Sequence, residues 1–208
     1  MKIAIIGTGN MARGIGSRVL AAGHDVTLYG TEREKAEALA RELGGSAQAA
    51  AVGDPLDGDV VVLALWYPIT KEVAGRHAQE LDGKVVVDIS NPVNPETFER
   101  ILPEAGSGAQ EVAAAAPGAR VVKAFNTTFA GTLAGGGEVA AQSLDVFLAS
   151  DDGEAKQAVA RLVEDAGLRA VDAGPLERAR ELEAAGYLHM VVQDGLGTGY
   201  GSALKIVP

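Results

Sequence analysis

The apolar residues of this chain gather in short unbroken runs, with amphipathic segments between them. Residues 59–65 (DVVVLAL) and 84–89 (KVVVDI) show no alternation with polar positions, the pattern of central parallel strands covered on both faces. Residues 3–6 form a similar run that enters a glycine turn, after which 11–22 reads as a helix ending at Gly23, and 25–29 (DVTLY) as the next strand. Residues 31–43 carry a capping Thr31, early acids and helically spaced apolar positions, and close on Gly44-Gly45. Residues 46–57 hold a short strand or one helical turn. A helix is expected over 68–81, whereas two prolines in 91–95 forbid one. A short helix over 108–116 and a strand over 120–125 follow.

Beyond the glycine-rich stretch 134–137 comes a second set: strand 145–149, helix 153–166 with Asp151 and Asp152 at its start, and strand 168–172. These are expected to extend the same sheet. The last helix starts at Gly174-Pro175, with an apolar stripe of Leu176, Ala179, Leu182, Ala185, Leu188 and Val192. Glycine at every other position over 195–201 leaves a loop near the site and a flexible tail equally open. The order of elements predicts an α/β fold of Rossmann type, doubly wound around a mainly parallel sheet, with a small C-terminal extension. We read residues 1–208 as a single NAD(P)-binding domain, with a nucleotide core over about 1–125 and a C-terminal lobe over about 126–208.

Gly7-Thr8-Gly9-Asn10-Met11-Ala12 is a G-x-G-x-x-A turn between the first strand and the first helix. Gly7 permits the tight turn, Gly9 removes the side chain that would bar a pyrophosphate, and Ala12 lets the helix lie against the strand. Amides near Asn10 and Met11, unpaired at a helix start, face the anion.

Composition narrows the partners. A formal charge of −10 over 208 residues offers no basic field for nucleic acid or an anionic membrane surface. The absence of cysteine removes disulfides, thiolate nucleophiles and thiolate metal sites. No apolar run approaches the roughly 20 residues of a membrane helix. A soluble, cytoplasmic protein with no nucleic acid and no membrane partner is expected.

The residues after the second strand decide which dinucleotide is bound, because they face the adenosine ribose. No acid ends that strand: Thr31 can donate a hydroxyl, and Arg33 and Lys35 can bond a 2′-phosphate. Glu32 reads either as a ribose carboxylate or as an early-helix acid turned to solvent. The balance favours NADP(H).

The opening MKIAIIGTGNM, the strand end Leu65-Trp66-Tyr67-Pro68, the pair Asn91-Pro92, the run 121–127 (VVKAFNT) and the run 172–176 (DAGPL) occur in this order. Together they resemble the NADPH-dependent F420 reductase family, the coenzyme F420-dependent NADP oxidoreductases and related bacterial dinucleotide-binding enzymes. The K-A-F-N run is also similar to that of the cytosolic domain of the six-transmembrane metalloreductases. The resemblance implies an enzyme passing hydride between NADP(H) and a deazaflavin (coenzyme F420) or flavin-like acceptor. It implies Thr8, Thr31, Arg33 and Lys35 around the adenosine 2′-phosphate, and Gly7, Gly9, Asn10 and Met11 on the pyrophosphate. It further implies Leu65, Trp66, Tyr67, Asn91 and Pro92 along the nicotinamide side, and Ala124 and Asn126 at the acceptor pocket. Asn126 stands where the F420 enzymes can place a histidine, which leaves the acceptor open.

Hydride transfer between two rings needs contact, orientation and exclusion of water, not a protein nucleophile. No triad, paired carboxylates or metal-ligand spacing can be assembled, so no catalytic side chain and no metal are expected. His24 is expected in a solvated turn, His77 on an outer helix face, and His189 in packing on the last helix. Trp66-Tyr67-Pro68 reads as a wall beside the nicotinamide or as packing of a strand-to-helix turn. Phe125 and Phe129 read as the bounds of a flat acceptor pocket, as core, or as a dimer contact. The competing functions are a dinucleotide-binding redox sensor with little catalysis and a reductase of a small imine or carbonyl substrate. The last helix suggests a homodimer.

Overall fold

The computed structural model describes residues 1–207. In chain order the elements are β1 (Lys2–Ile6), α1 (Asn10–Ala21), β2 (Asp25–Gly30), α2 (Arg33–Leu43), β3 (Gln48–Ala51), β4 (Val60–Leu63), α3 (Tyr67–Arg76), β5 (Val85–Asp88), α4 (Gly108–Ala115) and β6 (Arg120–Lys123). Then follow α5 (Ala130–Ala134), the hairpin β7 (Glu138–Val139) and β8 (Gln142–Ser143), β9 (Asp145–Ala149), α6 (Gly153–Asp165), β10 (Arg169–Gly174), a 3-10 turn (Leu176–Arg178), α7 (Ala179–Val191) and α8 (Gln193–Leu196).

Eight strands form one sheet in the order β10-β9-β6-β5-β4-β1-β2-β3. The six strands from β3 to β6 are mutually parallel, β9 joins β6 antiparallel, and β10 runs parallel to β9. The chain winds outward from β1 through β2 to β3, then returns to β4 and winds the other way. Its switch point lies between β1 and β4, where Ile6 is paired with Leu63. In open α/β sheets ligands bind outside the carboxyl ends of the strands at such a point.

Because strand residues alternate between faces, each buried strand supplies both halves of the core. Ile3, Ile5, Val60, Val62 and Val87 pack with Ala12, Ile15, Leu39 and Val159 of α1, α2 and α6. Ala4, Ile6, Val61, Leu63 and Val86 pack with Val73, Val112 and Ala179 of α3, α4 and α7.

Five expectations need correction. The predicted helix over 68–81 ends at Arg76, where residues 77–81 unwind into turns. His77 therefore turns inward rather than outward: it is buried, with Nδ1 2.8 Å from Glu80 Oε1. The strand expected over 120–125 stops at Lys123, and Phe125 takes a left-handed φ of 60°, turning the chain out of the sheet. The last helix is broken by its 3-10 entry. Its expected stripe is buried at Leu176, Ala179 and Leu182 but open at Leu188 (59% exposed) and Val192 (38%). His24 is half-buried between the chain's N-terminal amine and Asp165, rather than free in solvent.

Candidate functional site

The glycine turn leaves β1 at the switch point. The Gly7 amide donates to the Tyr29 carbonyl at 2.9 Å, and its φ of 126° suits glycine alone. A Cβ there would stand 2.4 Å from the Ala64 carbonyl oxygen, so the turn touches the chain leaving β4. A Cβ on Gly9 would meet nothing within 4 Å, which leaves open space in front of the helix start. The first bond of α1 runs from the Arg13 amide to the Gly9 carbonyl, so the amides of Asn10, Met11 and Ala12 have no helical acceptor. Ala12 is fully buried against the sheet. Asn10 Oδ1 accepts from Arg13 at 2.8 Å, and the Met11 side chain packs on the core, so both offer backbone rather than side chain. Open space, free amides and a helix dipole fit a pyrophosphate.

The Thr8 methyl lies 3.0 Å from where a Gly30 Cβ would be, which puts Thr8 against the end of β2. Thr31, Arg33 and Lys35 are exposed just beyond it. Lys35 pairs with Glu32 at 2.6 Å, and Arg33 lies 3.5 Å from Glu37 and 3.8 Å from Asp54. Such exposed pairs are individually weak, so a dianionic phosphate can recruit both cations. Glu32, the partner of Lys35, is itself exposed.

At the ends of β4 and β5 the expected nicotinamide wall divides. Leu65 packs partly into the core, while Trp66 at the entry to α3 is 48% exposed. Tyr67 turns to α4, its hydroxyl donating to Glu111 Oε2 at 2.8 Å; burial, then the Glu111 carboxylate, push its phenol well above the usual range. Tyr67 is thus anchored between helices and presents no hydroxyl to the glycine turn. Pro92 is buried.

The structure brings Asn91 and Asn126 together. The Asn91 amide donates to the Asn126 carbonyl at 2.8 Å, and the Asn126 amide donates to Asn91 Oδ1 at 2.9 Å and to the Leu182 carbonyl at 2.8 Å. Asn126 Oδ1 is buried without a partner. Ala124 is fully buried in the core, because its amide continues the β5 ladder onto the Asp88 carbonyl, and it forms no pocket wall.

One group escaped the sequence reading. Lys123 is fully buried, with Nζ 2.8 Å from both Asp88 and Glu183. Glu183 also accepts from the Gly108 amide at 3.0 Å and the Ala109 amide at 3.3 Å, capping α4. Burial opposes the Lys123 ammonium, yet the two carboxylates hold its pKa above the ordinary value. A polar end to each of two adjacent apolar runs, Asp88 and Lys123, was the available signal: they are register partners. His189 packs on the last helix as expected: it is buried, stacked on Phe129 with ring centroids 4.2 Å apart, and bonded to the Thr127 carbonyl and Ser202 Oγ. The Tyr200 and Phe129 rings meet edge to face with centroids 5.1 Å apart. The glycine-rich tail thus folds back onto the segment after β6.

Residues 2–92 match the family described as NADP oxidoreductase, coenzyme F420-dependent. The chain is 30% identical over 200 residues to the F420-dependent NADP reductase of Methanocaldococcus jannaschii, covering 88% of each protein. It is also 30% identical over 184 residues to the metalloreductase STEAP3 of Rattus norvegicus, of whose length it spans 36%. A crystal structure provisionally described as an F420-dependent NADP-reductase from Arthrobacter sp. FB24 superposes with a TM-score of 0.88 at 26% identity, over 100% of both chains.

Proposed function

The chain belongs to the coenzyme F420-dependent NADP oxidoreductase family and is an NADP-linked oxidoreductase, and from that premise we propose that it transfers hydride between NADP(H) and a deazaflavin or flavin-like acceptor. The observation that carries this reading is the site's division of labour. Free amides and open space at the glycine turn suit a pyrophosphate, two exposed cations suit a 2′-phosphate, and an aromatic, apolar rim follows at the ends of β4 and β5.

In this reading Gly7, Gly9, Asn10 and Met11 hold the pyrophosphate through backbone, and Thr8, Thr31, Arg33 and Lys35 hold the adenosine phosphate. NADPH supplies the hydride when bound. The chain contributes orientation and dryness: Trp66 and the braced Asn91-Pro92 end of β5 flank the reacting rings, and the Asn91–Asn126 clasp fixes the segment after β6. We take the whole chain as one dinucleotide-binding unit, with the lobe from residue 126 supporting the acceptor side.

A stopped-flow matrix of NADPH and NADH against F420, FMN and FAD tests the proposal. Rapid turnover of an NADPH pair is expected; tight NADPH binding without turnover of any pair would replace it with the sensor reading. We further propose a cytoplasmic homodimer through the open face of Leu188, Val191, Val192 and Leu196. Sedimentation of Leu188→Glu should show a monomer where the parent shows a dimer; a monomeric parent would refute the dimer.

A further inference from the structure

We propose that Trp66 and Phe98 form the landing surface for the flat ring of the hydride acceptor, an inference that rests on the deazaflavin or flavin reading above. The two rings meet edge to face, with centroids 6.4 Å apart and planes at 87°. Both are open to solvent, Trp66 at 48% and Phe98 at 45%, in a chain with one tryptophan and four phenylalanines. Ile69, one turn along α3 from Trp66, is also 48% exposed and widens the apolar patch.

The backbone at Phe98 is unusual for a residue with a side chain. Phe98 has a φ of 58°, a left-handed conformation that a residue with a Cβ adopts only at a cost. Glycine would be the low-energy choice there. The loop around it is firmly braced. Asn94 Oδ1 accepts from the amides of Glu96 and Thr97 at 2.8 and 3.2 Å, and the Phe98 amide donates to the Asn94 carbonyl at 2.9 Å. Ile101 closes the loop onto the Pro92 carbonyl at 2.8 Å. An aromatic ring fixed in solvent by a strained, rigid loop is built to meet something flat and apolar.

Position selects the occupant. Trp66 lies two residues beyond Ala64, whose carbonyl abuts Gly7, and the Phe98 loop springs from Asn91-Pro92 at the end of β5. The pair therefore straddles the carboxyl ends of β4 and β5, on the side of the switch point away from the adenosine cations. A dinucleotide seated on the glycine turn extends its reactive ring toward this edge, and the acceptor must stack there. The face of one ring and the edge of the other suit a conjugated tricyclic ring, which pairs by offset stacking and edge contact together.

Because Trp66 is the sole tryptophan, its emission reports a flavin or deazaflavin bound near it, and Phe98→Gly tests the contact itself. Oxidised F420 or FMN titrated into the NADP⁺-bound protein should quench Trp66 saturably, with inner-filter correction. Phe98→Gly should raise the acceptor's Kd and KM on the order of tenfold. It should leave the NADP⁺ affinity unchanged and hold or raise the Tm, because glycine relieves the left-handed backbone. A structural role predicts the opposite sign in Tm, so a lower Tm with both ligands weakened overturns the proposal. So does an unchanged acceptor Kd in Phe98→Gly, or turnover with Trp66 unquenched, which would leave the hydride-transfer reading standing. Quenching without turnover removes that reading and leaves the pair a ring-binding surface rather than an acceptor site; neither quenching nor turnover removes both.

Discussion

Asn126 and Asn91 clasp each other across the ends of β5 and β6, each donating its side-chain amide to the other residue at 2.8–2.9 Å, with Gly186 of α7 pressed against the pair. A Cβ on Gly186 would stand 2.7 Å from Asn91 Oδ1 and 2.8 Å from the Asn126 carbonyl. The last helix is thereby seated on the candidate site through backbone contact that only glycine allows. Gly186→Ala should overpack this contact, lowering stability by about 1–3 kcal/mol. Acceptor turnover should fall more than NADPH affinity, because the glycine turn lies elsewhere. Equal loss of both, measured by calorimetry and steady-state rates, would place the clasp outside the acceptor side.

Lys123 joins the same helix to the sheet from beneath. Lys123→Met would leave Asp88 and Glu183 buried without their cation, and the expected loss is about 3–5 kcal/mol. Urea unfolding of Lys123→Met beside the double variant Asp88→Leu with Lys123→Met separates the terms. The double variant should recover part of the loss, since one stranded carboxylate is then gone.

Arg33 and Lys35 set the choice of dinucleotide if the adenosine phosphate lies between them. Arg33→Ala with Lys35→Ala should raise the KM for NADPH about tenfold or more, as charge-assisted bonds are worth about 1.5–3 kcal/mol. The KM for NADH should change little, and the NADPH effect should shrink in high salt. An equal change for both cofactors would move the 2′-phosphate away from these cations.

His189 makes stability depend on pH. Burial lowers its pKa from the ordinary 6.5, with the Thr127 carbonyl opposing the shift, so the folded chain favours the neutral ring. The sign follows: this stabilisation is complete above about pH 6.5 and is lost as the pH falls through the lower folded value. The Tm of the parent should drop between pH 7 and 5 more than that of His189→Gln. Parallel curves for the two proteins would contradict the assignment.

Most of the fold is legible in the residue pattern for a simple physical reason. Central parallel strands are buried on both faces, so runs such as 60–63 and 85–88 stand out, and the glycine turn needs only local steric requirements to declare itself. Gly7, Gly9 and Ala12 all stand where that local reasoning puts them. The weak spots are those where neighbours distant in sequence decide. Beyond Arg76, where the helix from residue 67 ends, Glu80 accepts from the Leu56 amide 24 residues away, and beyond Lys123, where the strand from residue 120 ends, Asn126 bonds Asn91 and the Leu182 carbonyl, 35 and 56 residues away.

The sequence by itself determined the order of the main strands and helices, the glycine turn and the cations beyond β2, because each depends on residues close along the chain, and its composition excluded thiol chemistry. Only the tertiary structure decided that Asn126 bonds Asn91, that Tyr67 turns to Glu111, that Lys123 is neutralised by Glu183 from 60 residues away, and that Trp66 finds Phe98. Hydrogen bonds, ion pairs and ring contacts depend on which side chains share a volume, and that sharing arises only when the sheet is assembled and α7 packs onto its edge.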